Sequence, residues 1–193
     1  MSSPAASTAC FRTLLRRFRR HRKGDAVVQF ALVAPLFFAL LFAIIESGIM
    51  FFANQVLETV TQNSARLILT GQAQNGNLTQ AQFKKAVCSP NSMASVLFNC
   101  NNLYVNVQSF SSFANITFPS PIDASGNFTG TMTYDPGGSS SCSGNSGCSN
   151  SIVVVTAFYG WQLFVTGLGY NISNMAGNQR LLMATAVFRN EPY

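Results

Sequence analysis

The sequence predicts an α+β protein: a long N-terminal helix apolar enough to cross a membrane, continuing into a small exported domain with an antiparallel sheet. Three observations carry that prediction. Residues 26 to 45 hold no charged side chain, and only Gln29 and Pro35 interrupt their apolar run; about 20 such residues are what a helix needs to cross a bilayer's hydrocarbon. Beyond Phe52 apolar residues keep recurring at intervals of three and four, the period of a helix with one buried face. From Asn102 the period changes to two, as in half-buried strands.

Charge sets the expected orientation. Arg12, Arg16, Arg17, Arg19, Arg20, Arg22 and Lys23 all precede Gly24 with no acidic residue among them, whereas residues 53 to 72 hold only Glu58 and Arg66. Basic flanks stay on the cytoplasmic side, so the N-terminus is expected inside and the chain beyond about residue 53 outside. The formal net charge of +6 therefore belongs to the leader: the rest has five basic residues against six acidic. No basic stripe is left to hold a nucleic acid, and the leader reads as a topology determinant lying against anionic headgroups. Only 9% of residues are charged, which suits an exported surface of amides and hydroxyls that packs against copies or partners.

On this reading the chain divides into a basic cytoplasmic leader (1–24), a transmembrane helix (25–52), its continuation outside (53–71) and an α+β head (72–193). Met1 to Thr8 is small and polar, a disordered composition. Phe11, Leu14, Leu15 and Phe18 recur at helical spacing with arginines between, which fits either an amphipathic helix on the inner membrane face or a solvated leader. A cleaved secretory signal is the alternative for the whole N-terminal region. Against it stand the length of the apolar run, the lack of a good A-x-A site after it, and a helical pattern that does not stop at the membrane's outer edge.

Past Phe52, Ala53, Val56, Val60, Leu67 and Ile68 continue the apolar face, with Ser64 filling the gap and Asn54, Gln55, Glu58, Gln62 and Arg66 on the other side. One helix from Asp25 to Thr70 is predicted, capped at Thr70–Gly71; Pro35, which removes a backbone hydrogen bond, should kink it or melt it locally. Residues 71 to 77 read as a turn. Thr79 with Gln82 has the form of a capping box, placing a short helix over Gln80–Val87. Leu103, Val105 and Val107 mark a strand, and a second is predicted near Phe113 to Phe118. Asp135 to Asn150 is low-complexity loop. Ile152 to Tyr159 is the clearest strand; a less regular segment follows through Trp161 to Tyr170, and Arg180 to Arg189 closes the sheet.

The cysteines sort by the membrane. Cys10 lies on the reducing side, and Cys88, Cys100, Cys142 and Cys148 on the side where disulfides persist. Of the three possible connectivities, the short spacings favour Cys88 with Cys100 and Cys142 with Cys148. A metal is not expected, because there is no C-x-x-C and the one histidine, His21, is across the membrane. No cofactor motif and no catalytic constellation is present: the exported part has no histidine, few acids and no nucleophile in a strand-turn-helix setting. Asp123 and Asp135 read as solvated turn residues. Gln29 and Glu46 stand out as polar groups in the apolar span, where burial needs a partner; hydration at the outer interface and a helix-to-helix contact are the two readings for Glu46.

The basic run, Gly24, four intervening residues, the polar Gln29, Phe30 and the apolar helix together resemble a type IV prepilin, which a membrane aspartyl peptidase cuts after the glycine. RRFRRHRKGDAVVQFALVAPLFFALLFAIIESG, ANQVLETVTQNSARLILTG, the Cys88 and Cys100 pair and the ending ATAVFRNEPY resemble more closely the TadE-like family, pseudopilins of the tight-adherence (Flp) pilus system. That resemblance implies a non-enzymatic, single-pass protein of the bacterial inner membrane with its head in the periplasm. Its implied partners are other pseudopilins and the major pilin, an inner-membrane assembly platform and the prepilin peptidase. It also implies cleavage between Gly24 and Asp25, recognition and packing through Gln29 and Phe30, and a kink at Pro35. Gln29 stands where the family usually has Glu, which pairs with the new N-terminal amine of a neighbouring subunit. An amide accepts a hydrogen bond but does not neutralise an amine, and Asp25 is the carboxylate left to take part of that role.

Overall fold

A computed structural model of the chain describes residues 24–89, 93–118, 120–137, 151–165 and 170–190. The leader, Cys10, the expected Cys142–Cys148 bridge, most of the low-complexity loop and the last three residues lie outside them. The chain forms two compact units, one through Ile44 and one from Ile45 onward.

The first helix, α1, spans Asp25–Leu69. Asp25 in its first turn and Arg66 in its last complement the helix dipole, and the helix runs unbroken through Pro35, so the chain does not melt there. At the other end Gly71 takes φ +71°, donates its N–H to Ile68 O and stops the helix, the left-handed cap the sequence predicts. In the first unit α1 is almost bare: Leu32 is 75% exposed, and only Ala43, at the end of the unit, is buried. A core helix of a water-soluble domain would bury such residues.

In the second unit the same helix is core. Ala53, Val56, Leu57, Val60, Ala65 and Ile68 belong to one buried cluster with strand residues Leu103, Val105, Val153, Val155, Leu182 and Ala184. Leu57 and Ala65 replace Leu67, which is only half-buried, because the stripe follows 53, 57, 60, 64 and 68. Thr61 is buried on that stripe and donates its hydroxyl to Leu57 O at 2.7 Å, which removes the cost of an unpaired group.

A one-turn helix α2 (Gln72–Asn75) fills the predicted turn, and α3 spans Gln80–Val87. Its capping box is present: Gln82 N donates to Thr79 Oγ1 and Thr79 N to Gln82 Oε1. Phe83 and Val87 carry α3 into the core. Cys88 and Cys100 are joined, with Cα atoms 6.0 Å apart, and the loop they close contains α4 (Met93–Leu97), which the sequence reading did not foresee.

The sheet is antiparallel, in the order β1 (Leu103–Phe110), β2 (Ile152–Gln162), β3 (Gln179–Arg189). Val155 pairs with Val107 on one side and Ala186 on the other. The central strand is buried on both faces from Ile152 to Phe158, which explains its continuous apolar run. The predicted strand at 113–118 does not form. Phe113–Asn115 is a single 3-10 turn capped by Ser112 Oγ, which accepts from Ala114 N–H. One edge of β1 pairs with β2; the other is taken at Val107 by Thr133 to Asp135, through Val107 N to Thr133 O and Asp135 N to Val107 O, each 2.9 Å.

Candidate functional site

The residues singled out from the sequence fall into two groups. Gly24, Asp25, Gln29, Phe30 and Pro35 lie at the start of α1, all exposed. Gln29 sits one turn after Asp25 and directs its amide Nε2 to Asp25 Oδ2 at 3.5 Å, so the amide stands beside a carboxylate. Phe30 is 68% exposed, its ring free for another surface. A side chain at Gly24 would meet nothing within 4 Å, and its φ is not in the left-handed region; the fold does not demand a glycine there.

Glu46 is different. It is 7% exposed and belongs to the second unit. The backbone N–H of Phe164 donates to its Oε1, and that of Val165 reaches both carboxyl oxygens, at 3.2 and 3.1 Å. The next residue, Ser47, bonds the Tyr170 phenol through its hydroxyl. The partner that a polar group in an apolar span needs is thus supplied by the chain's own head. No local pattern could have revealed it, since the two ends are 118 residues apart.

Two further features were not read from the sequence. Asp135 is more than a solvated turn residue: Ser109 Oγ donates to its Oδ2 and Gly137 N to its Oδ1, tying the chain after Tyr134 to β1. On the sheet face away from α1 lies a groove of about 390 Å³. Asn106, Gln108, Thr156, Phe158 and Met183 form its floor, and the segments around Phe118 and Gly130 form its walls. Phe128 stacks on Tyr104 at 4.7 Å and packs on Phe158 at 5.5 Å beside it. None of the lining residues is charged.

These features define a class: a small α+β head with a helix long and apolar enough to span a membrane at its N-terminal side. Residues 24–66 match a protein-family model, TadE, described as TadE-like protein. The matched stretch holds Gly24, Asp25, Gln29, Phe30, Pro35 and Glu46, and agrees with the resemblance read from the sequence. It stops short of the disulfide, the sheet and the groove, so the likeness rests on the helix. No curated protein and no solved structure matches the chain.

Proposed function

We propose that this chain is a minor pseudopilin or assembly component of a tight-adherence (Flp, type IVc) pilus. In this reading α1 anchors the subunit in the bacterial inner membrane, the basic leader stays in the cytoplasm, and the disulfide-bonded head lies in the periplasm. A prepilin peptidase cuts between Gly24 and Asp25, so the chain is a substrate and not an enzyme. The observation that carries this is the coincidence of the matched stretch, which starts at Gly24, with a helix whose N-terminal half exposes its large apolar side chains. Such a surface needs lipid or neighbouring helices, and pseudopilins and the major pilin supply the latter. Once cut, the amine of Asp25 would sit beside its own carboxylate and the Gln29 amide. That is a weaker clamp on a neighbour than Glu at residue 29 would give, and it favours a place at an initiating or tip complex over repeated packing along a fibre.

The test is the N-terminal sequence and intact mass of the membrane-extracted protein from cells with and without the prepilin peptidase. A peptidase-dependent terminus at Asp25 is expected; an intact leader in both strains would overturn the processing step.

The groove supports a second reading, in which an uncleaved, anchored protein uses its head to bind a ligand or cell-wall component. Its uncharged floor of amides, hydroxyls and aromatic rings suits a neutral ligand, and its volume falls within the range of small-molecule sites. Direct binding of cell-wall fragments to the head, lost when Gln108 and Phe158 are replaced, would favour it.

A further inference from the structure

We propose that the head does not stand clear of the bilayer: the segment Leu163–Val165 dips beside α1 into the outer edge of the hydrocarbon, with Phe164 in contact with lipid. The proposal rests on the reading of α1 as a membrane span.

The depth follows from α1. Exposed apolar side chains continue along it through Ile45, Ile49, Phe51 and Phe52, and the first exposed polar residue after them is Gln55. The hydrocarbon boundary therefore falls near Phe52. Glu46, six residues earlier, lies about 9 Å deeper at 1.5 Å per residue, and it is Glu46 that holds the N–H groups of Phe164 and Val165. A segment fixed to Glu46 shares its depth. Were the boundary instead at Glu46, then Ile49, Phe51, Phe52 and Phe164, the last 84% exposed, would all present large apolar side chains to water.

The N–H groups of the segment are prepared for that position. Non-helical backbone is tolerated at membrane depth only where its polar groups are satisfied within the protein. Leu163 N donates to Asn178 O at 3.0 Å, and Phe164 N and Val165 N donate to Glu46; three consecutive donors are paired. The Tyr170 hydroxyl is paired with Ser47, an aromatic with a polar tip of the kind enriched at membrane interfaces. An acid in an apolar span thereby acquires a purpose: it carries the acceptors that let a turn of the head enter lipid.

The test places a second tryptophan at this site in the full chain. Phe164→Trp is reconstituted in phosphatidylcholine vesicles whose acyl chains carry bromine near the headgroup end, and its emission is compared with that of the parent, which has Trp161 alone. We expect the added emission to be blue-shifted, largely lost to the bromolipid and insensitive to iodide. Quenching by iodide without a bromolipid effect would overturn the proposal in favour of water; quenching by neither would overturn it in favour of a protein contact. Leu36→Trp, with bromine near the chain ends, separates the two readings. If it is quenched and Phe164→Trp is not, the span stands and the dipping segment falls; if Leu36→Trp is unquenched, the span itself falls.

Discussion

Glu46 and Val165 meet through both oxygens of the carboxyl group, at 3.2 and 3.1 Å from one backbone nitrogen, a contact that ties the apolar stretch of α1 to the far end of β2. Glu46→Ala leaves two N–H groups without an acceptor, at a cost of about 1–3 kcal/mol for each buried donor. The expected outcome is fast amide exchange confined to Phe164 and Val165 in the detergent-solubilised protein. Glu46→Gln, which keeps one acceptor oxygen, should fall between. Unchanged exchange in Glu46→Ala would show that the contact does not hold the segment.

Gly24 separates processing from folding. Because a side chain there meets open space, Gly24→Val should leave the melting temperature of the head unchanged while the leader is retained on every molecule, read by intact mass. A cleaved Gly24→Val protein would remove the glycine from the recognition motif.

Two leucines of one helix should behave oppositely. Leu57 is fully buried in the head, and Leu57→Ala is expected to destabilise it by about 2–5 kcal/mol. Leu36 is exposed, and Leu36→Ala should leave the thermal unfolding of the head where it was. Equal shifts in the two variants would contradict the division of α1 into a bare part and a core part.

Asp123 gives the head an acid-sensitive loop. Its carboxyl is held below the ordinary value, first by the Asn127 backbone N–H and further by the Asn127 amide and the Ser125 and Gly126 backbone N–H groups, against an opposing desolvation. A depressed carboxyl stabilises fully above the unfolded aspartate value, about 3.9, and the stabilisation is lost as pH falls through the lower folded value. Exchange of the Ser125 and Asn127 amides should accelerate over that window beyond its ordinary pH dependence, and Asp123→Ala should abolish the excess.

Replacing Cys88 and Cys100 together by Ala should lower the stability of the head by about 2–3 kcal/mol, the expected worth of a short closed loop, measured by denaturant unfolding under oxidising conditions. No difference from the parent would mean that the bridge constrains little in the unfolded chain.

What the sequence made legible was periodic. The 3.6 period located α1 and its cap at Gly71, the Thr79–Gln82 pair located α3, and the alternation at Leu103 and Leu182 located β1 and β3. The misses were non-local. Phe113 to Phe118 has strand-like composition, yet the middle of the outer edge of β1 goes to Thr133–Asp135 instead. Leu57 outranks Leu67 because the direction of the sheet, not the spacing alone, selects the buried stripe. The satisfaction of Glu46 by Phe164 and Val165, and the groove floor assembled from all three strands, depend on residues that are distant along the chain; no local window on the sequence spans them.

The connection between β1 and β2 also governs timing. β2 and β3 are adjacent in sequence and can zip together early, but β1 must wait for a long intervening stretch to close, and such distant pairings are slow. The core unites Leu57, Val105, Val155 and Ala184, so it cannot condense until all four occupy one compartment. For a chain threaded across a membrane, almost the entire head must be delivered before any of it gains a folded interior. The apolar strand Ile152–Phe158 therefore travels uncovered in the meantime, the period in which a chaperone would find it.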